Sequence, residues 1–150
     1  VTAAPGGRAC TTDNESAVSC VVTGLVNVTT YTFTVVASNG VGPSLASSPS
    51  AAVQPATSPS APRSVKARYV KAKAKVRWSS PADTGGLAIT SYRYRVSKNS
   101  GRSWTSWRST GRSTNAVVKR KRKLAYRIQV RATNPAGAGS VKTLKLRKYR

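Results

Sequence analysis

Tyr31-Thr-Phe-Thr-Val-Val-Ala-Ser-Asn39 is the stretch on which the fold turns, because it returns as Tyr126-Arg-Ile-Gln-Val-Arg-Ala-Thr-Asn134. Each pair is offset by 95 residues, 31 against 126, and Gly42 and Gly137 keep the same step without a gap. In the first copy Tyr31, Phe33, Val35 and Ala37 alternate with Thr32, Thr34, Val36 and Ser38. Successive side chains of a strand point to opposite faces, so this period of two predicts a half-buried β-strand. A repeat about the length of a small domain predicts a modular array and not one catalytic body.

The same alternation extends outward. Ala74, Val76 and Trp78 alternate with Lys73, Lys75 and Arg77, and Tyr92, Tyr94 and Val96 alternate with Arg93, Arg95 and Ser97. No window has a helical period. Turn residues punctuate the runs at Pro5-Gly6-Gly7, Asn39-Gly40, Asp83-Thr84-Gly85-Gly86, Asn99-Ser100-Gly101 and Asn134-Pro135. Short strands at this spacing, without helices, predict an all-β chain built as an antiparallel β-sandwich. Val1 aligns with Val96, well inside the second copy, so the first unit is expected to be incomplete. The expected division is 1–53 for that partial domain, 54–60 for a stiff Ala/Ser/Pro linker, and 61–150 for a complete domain. No apolar run reaches the length of a membrane-crossing helix.

Charge separates the two units. Of the 26 Lys and Arg residues only Arg8 precedes residue 61, which leaves 25 in 61–150 against the single acid Asp83. Such a field attracts anionic polymers: wall material, acidic polysaccharide or nucleic acid. Cys10 and Cys20 are the only cysteines. A pair in a small β module reads as a disulfide formed in an oxidising compartment, and two thiols without any His make a poor zinc set.

Trp78-Ser-Ser-Pro81, Gly85-Gly86, Ile89 and Tyr92, followed by the Tyr126-to-Asn134 signature and Gly137, resemble a complete fibronectin type III domain over 61–150. Residues 1–53, with Gly24-Leu25, the Tyr31-to-Asn39 signature and Gly42-Pro43, resemble the C-terminal half of another. The resemblance implies an immunoglobulin-like sandwich of two sheets, seven strands per complete domain, in tandem. It makes Trp78 the strand-B core residue and Tyr31 and Tyr126 the openers of strand F, each ring buried and each hydroxyl able to bond the preceding loop backbone. The second unit departs from the pattern at one place. Leu25 sits six residues before Tyr31, where the resemblance implies a plug for the end of the sandwich, whereas Arg120 stands at the matching position before Tyr126. Either Leu124 is then expected to take the plugging role, or the loop bulges so that Val118 does. The Ala, Thr, Ser and Gly usage with the cysteine pair is similar to type III modules of secreted actinobacterial proteins, which are spacers or accessory domains beside an enzyme, adhesin or wall anchor.

Chemistry has little to work with. The chain has no His, so no imidazole base is at hand. Asp13 and Glu15 read as a solvated turn and Asp83 as a residue bonding its own turn. No catalytic residue, cofactor or metal ligand set is expected. The candidate polyanion-binding residues are Arg93, Arg95, Arg127 and Arg131, which form an outward stripe if strands C and F pair, and the run Lys119, Arg120, Lys121, Arg122 and Lys123. Lys73, Lys75 and Arg77 of strand B project from the other sheet, so positive charge wraps the domain. A wrapped field suits non-specific adhesion, while base-specific readout needs an element that enters a groove. Trp104 and Trp107 lie three apart and fall on opposite faces of a regular strand, one in the core and one partly exposed. The exposed ring is either a cover for the sheet edge or a stacking platform for a sugar or base. Ser97 to Trp104 also resembles an Asp-box hairpin with Asn99 in place of the Asp; that hairpin is structural.

The expectation is a non-catalytic extracellular spacer and adhesion module whose basic domain associates with anionic cell-wall or extracellular polymers. The alternatives are an accessory domain of a secreted polysaccharide-degrading enzyme and a surface module that holds nucleic acid non-specifically.

Overall fold

A computed structural model describes all residues except 13, 122, 123 and 148–150. The chain divides into two compact units, Val1–Ala56 and Thr57–Arg150.

In the first unit β1 (Thr2–Ala4) pairs antiparallel with β2 (Thr32–Thr34), Ala3 facing Phe33. Beyond β2 the chain is paired by serines. Phe33, Val35 and Ala37 each donate their N–H to the Oγ of Ser50, Ser47 and Ser44, all at 3.0 Å. Their carbonyls accept from the N–H of the same three serines at 2.9, 2.9 and 2.7 Å. Three residues of the returning segment therefore advance against two of the outgoing one. A hydroxyl fills in where the ladder lacks a carbonyl, because Ser readily bonds local backbone. The Cys10–Cys20 disulfide is formed, with Cα atoms 6.0 Å apart.

The second unit is a two-sheet sandwich. β3 (Arg63–Val70), β4 (Lys73–Ser79) and β7 (Asn115–Lys119) form one sheet in that order. β5 (Ser91–Ser97), β6 (Arg108–Ser109), β8 (Arg127–Asn134) and β10 (Lys142–Lys145) form the other in the order β10-β8-β5-β6, with the short β9 (Gly137–Ala138) also on β8. All pairings are antiparallel. Counting β9 and β10 as one broken strand, the described residues of the unit form seven strands. Inward positions meet in one core: Ala74, Val76 and Trp78 of β4, Tyr92 of β5, and Ile128, Val130 and Ala132 of β8. Trp78 packs tilted on Tyr92 with centroids 5.9 Å apart. Each fully buried aliphatic here contributes about 1.5–3 kcal/mol.

Both signature tyrosines act as expected. Tyr31 is buried and its hydroxyl accepts the Val26 N–H at 3.0 Å; Tyr126 is buried and accepts the Lys121 N–H at 3.0 Å. The signature Asn has a second job in the basic unit. Asn134 is buried, donates to the carbonyls of Thr57 and Thr84 at 2.8 Å each, and accepts from Gly137 at 3.1 Å.

Residues 57–60, which composition places in the linker, bond within the second unit. Thr57 N–H donates to the Gly85 carbonyl at 2.8 Å and Ser60 N–H to the Asp83 carbonyl at 2.9 Å. Asp83 bonds its own turn, its carboxylate accepting the Gly85 N–H at 2.7 Å. Gly85 has a positive φ of 73°, and a Cβ there would stand 1.9 Å from the Thr57 carbonyl oxygen, so only glycine lets these two segments meet.

Neither Leu124 nor a bulge replaces Arg120. Arg120 itself is the plug, at 5% exposure. Its Nη1 donates to the Arg147 carbonyl at 2.7 Å, its Nη2 to the Lys71 carbonyl at 3.0 Å, and its guanidinium lies 4.6 Å from the Tyr69 ring centroid. An arginine can fill an apolar end when carbonyls satisfy its head and a ring accepts its face. Val118 is buried in the core beside it and Leu124 packs against that core.

Candidate functional site

The pairing of β5 with β8 brings the predicted arginines together. Arg93 faces Arg131, Arg95 faces Gln129 and Ser97 faces Arg127. Alternation turns all of them away from the core. Arg95 Nε donates to Gln129 Oε1 at 2.7 Å, and Gln129 Nε2 donates onward to Thr143 Oγ1 at 3.2 Å.

Both tryptophans lie on this same outer face, which corrects the expectation that one enters the core. Tyr94 faces Arg108, so an even register would set Val96 opposite Ser106; instead the Thr105 N–H donates to the Val96 carbonyl at 3.0 Å. The slip of one residue reverses the side that Trp104 presents. Both indoles then stack with arginines. The Arg95 guanidinium lies 5.1 Å from the Trp104 centroid and 4.6 Å from that of Trp107, and Arg131 lies 4.1 Å from Trp107. At the far end a Cβ on Gly101 would touch both Arg127 and Trp104, at 3.5 and 3.6 Å. The result is an alternating ladder of cations and indoles. Its cations are fixed in place, because flat guanidinium groups stack on π-faces where ammonium groups stay hydrated. Burial, and then the charges of Arg93 and Arg95, lower the pKa of Arg131.

The hairpin before the ladder is a small polar cage. Asn99 Oδ1 accepts the Ser103 N–H and the Ser97 hydroxyl at 2.9 Å each, and Ser97 Oγ accepts the Gly101 N–H at 2.8 Å. Its groups are consumed in holding the turn, as a structural Asp-box analogue requires.

From the basic run, Lys119 and Lys121 are exposed, Arg120 is buried, and Arg122 and Lys123 lie outside the described residues. Arg120 is thus withdrawn from any polymer that docks on the surface. Sequence reading did not pair Arg95 with Gln129 or stack either tryptophan. The Trp-x-x-Trp spacing beside Arg-x-Arg carries that signal only once the register slip is known.

The sheet orders and the two tyrosine corners define the fold: an antiparallel β-sandwich of FNIII/Ig-like type. No protein-family model matches the chain. Among solved structures it is similar to domains d3–d4 of the rat CD45 extracellular region, at 20% identity and TM-score 0.56, over 92% of this chain and 75% of that one. It is similar to a human fourth FNIII domain at 19% identity and TM-score 0.55, over 75% and 92% of the two chains. It also matches titin kinase with its flanking domains at 24% identity and TM-score 0.53, but spans 62% of this chain and only 18% of that one.

Proposed function

We propose that the chain is a non-catalytic extracellular spacer and adhesion module whose basic unit holds its parent protein on anionic surface polymers. The observation that carries this reading is the uncompensated charge of the second unit. Its one acid, Asp83, is occupied in its own turn, which leaves 61–150 with no other acid to set against the cations of its sheets. A field of one sign over a rigid body draws polyanions from a distance and releases their counterions on contact. The Cys10–Cys20 disulfide supports a location outside the reducing cytoplasm.

The ladder weighs against a neutral-glycan site. Two guanidinium groups lie within 4.6 Å of the Trp107 centroid, and a sugar ring stacking there has to displace one. Base-specific nucleic-acid binding has no support either, since the described residues of the unit form strands and turns with no groove-entering element.

Acetylating the lysines of the full chain cancels their charge and tests the reading. Eleven of the 26 cations are lysines, so the treated protein is expected to be captured more weakly by an immobilised anionic polysaccharide, while the untreated protein passes through a neutral-glycan column. Undiminished capture after acetylation, or retention on the neutral glycan, overturns the proposal.

A further inference from the structure

The sheet of β3, β4 and β7 presents a second charged face, of different character from the ladder. Cross-strand register sets Lys66 opposite Arg77, Arg68 opposite Lys75, and Lys73 opposite Lys119. All six are exposed, and the three other outward positions between them are Val70, Asn115 and Val117. Like charges set directly across a ladder repel, and strands roughly 5 Å apart lie well inside the ~8 Å screening length of physiological salt. A sheet normally separates such residues or pairs them with acids; here every cross-strand charge meets its own sign.

We propose that this face, and not the arginine ladder, is the principal polyanion site, and that its occupant is a flexible, ring-free phosphate polymer lying across the three strands. The inference rests on the polyanion reading above. Three observations select the occupant. Four of the six cations are lysines, compact ammonium charges that meet phosphates as point charges, whereas Arg95 and Arg131 of the ladder are already stacked on indoles. No aromatic stands among the outward positions of the face, so neither bases nor sugar rings have a stacking platform. The cations fill adjacent positions in both directions, a density matched by a polymer charged at every repeat and diluted in one that spaces its charges with rings.

The test uses the full chain with long-chain inorganic polyphosphate as the probe. One variant carries K66Q, K73Q, K75Q and K119Q; a charge-matched variant carries R102Q, R112Q, K142Q and K145Q, all exposed elsewhere on the unit. The first variant is expected to bind at least about tenfold more weakly in low salt, with its log–log salt slope reduced by roughly three, near 0.7 per lysine for a flexible chain. The matched variant should keep most of the affinity. With its repulsion relieved, the first variant should also melt no lower than the parent in low salt, which separates lost binding from lost folding. Equal weakening of both variants overturns the face assignment and leaves the adhesion reading standing. Parent protein that binds a sulfated polysaccharide or single-stranded DNA but not polyphosphate overturns the occupant. Parent protein that binds none of the three removes both the inference and the proposed function.

Discussion

Tyr126 shows how much one side chain decides. Its ring fills the core while its hydroxyl accepts the Lys121 N–H, and the same geometry recurs at Tyr31 with Val26. Tyr126→Phe keeps the ring and leaves that N–H without its acceptor, so a loss of about 1–2 kcal/mol is expected by denaturant unfolding. This role was legible beforehand, since a buried Tyr at the head of an alternating strand has to place its polar end somewhere. Gly85 was legible only as turn punctuation. What it does is admit the Thr57 carbonyl, a contact across 28 residues that local pattern does not encode. Gly85→Ala meets both the positive φ and that oxygen, and a loss of about 1–3 kcal/mol is expected, read as a lowered denaturant midpoint. Arg120 shows the opposite failure. Counted by charge it belongs to a basic surface run; counted by position it is the plug of the sandwich, and position prevails because carbonyls of Lys71 and Arg147 await its head.

Elements were readable where period two holds and not where it slips. β4 and β8 alternate cleanly in burial, and β5 keeps the expected faces in its pairing with β8 although Ser97, on the outward side, is buried. Between Trp104 and Trp107 the register slips by one, so spacing alone assigns the indoles to opposite faces when they share one. Trp107→Ala is expected to cost about 1–3 kcal/mol, combining lost area with two cation–π contacts, and to free Arg131 from its ring while Arg95 keeps Gln129 and Trp104. Arginine side-chain NMR checks it: the Nε–H signal of Arg131 should move and sharpen in the variant, and that of Arg95 should change less. The Ser44, Ser47 and Ser50 pairing was hidden for a related reason, because a three-residue step against a two-residue one resembles neither strand nor helix in sequence. The lowered pKa of Arg131 means that the fold disfavours its charged form. That penalty lifts only as pH rises through the arginine range, so near neutrality it stays constant and contributes no pH dependence.

At the scale of the whole molecule, one repeated sequence pattern is buried to different depths. In the basic unit it runs through β8 with Ile128, Val130 and Ala132 buried, whereas in the near-neutral unit β2 ends at Thr34, and Val35 and Ala37, expected to face inward, are exposed. With one acid among 25 cations, the second unit works against its own repulsion. Moderate salt should therefore raise its melting temperature, read by scanning calorimetry, where a protein held by surface ion pairs would lose stability. The sandwich was legible in period and the sign of the field in composition. The exact placement of cations against cations was not, since register comes from pairing and pairing from the core. The central claim is that adhesion is driven by charge, and the salt dependence of binding to an anionic polysaccharide measures it directly. The association constant of the full chain should fall linearly on log–log axes, by roughly 100-fold or more between about 50 and 200 mM salt. An affinity that holds steady over that range contradicts the account.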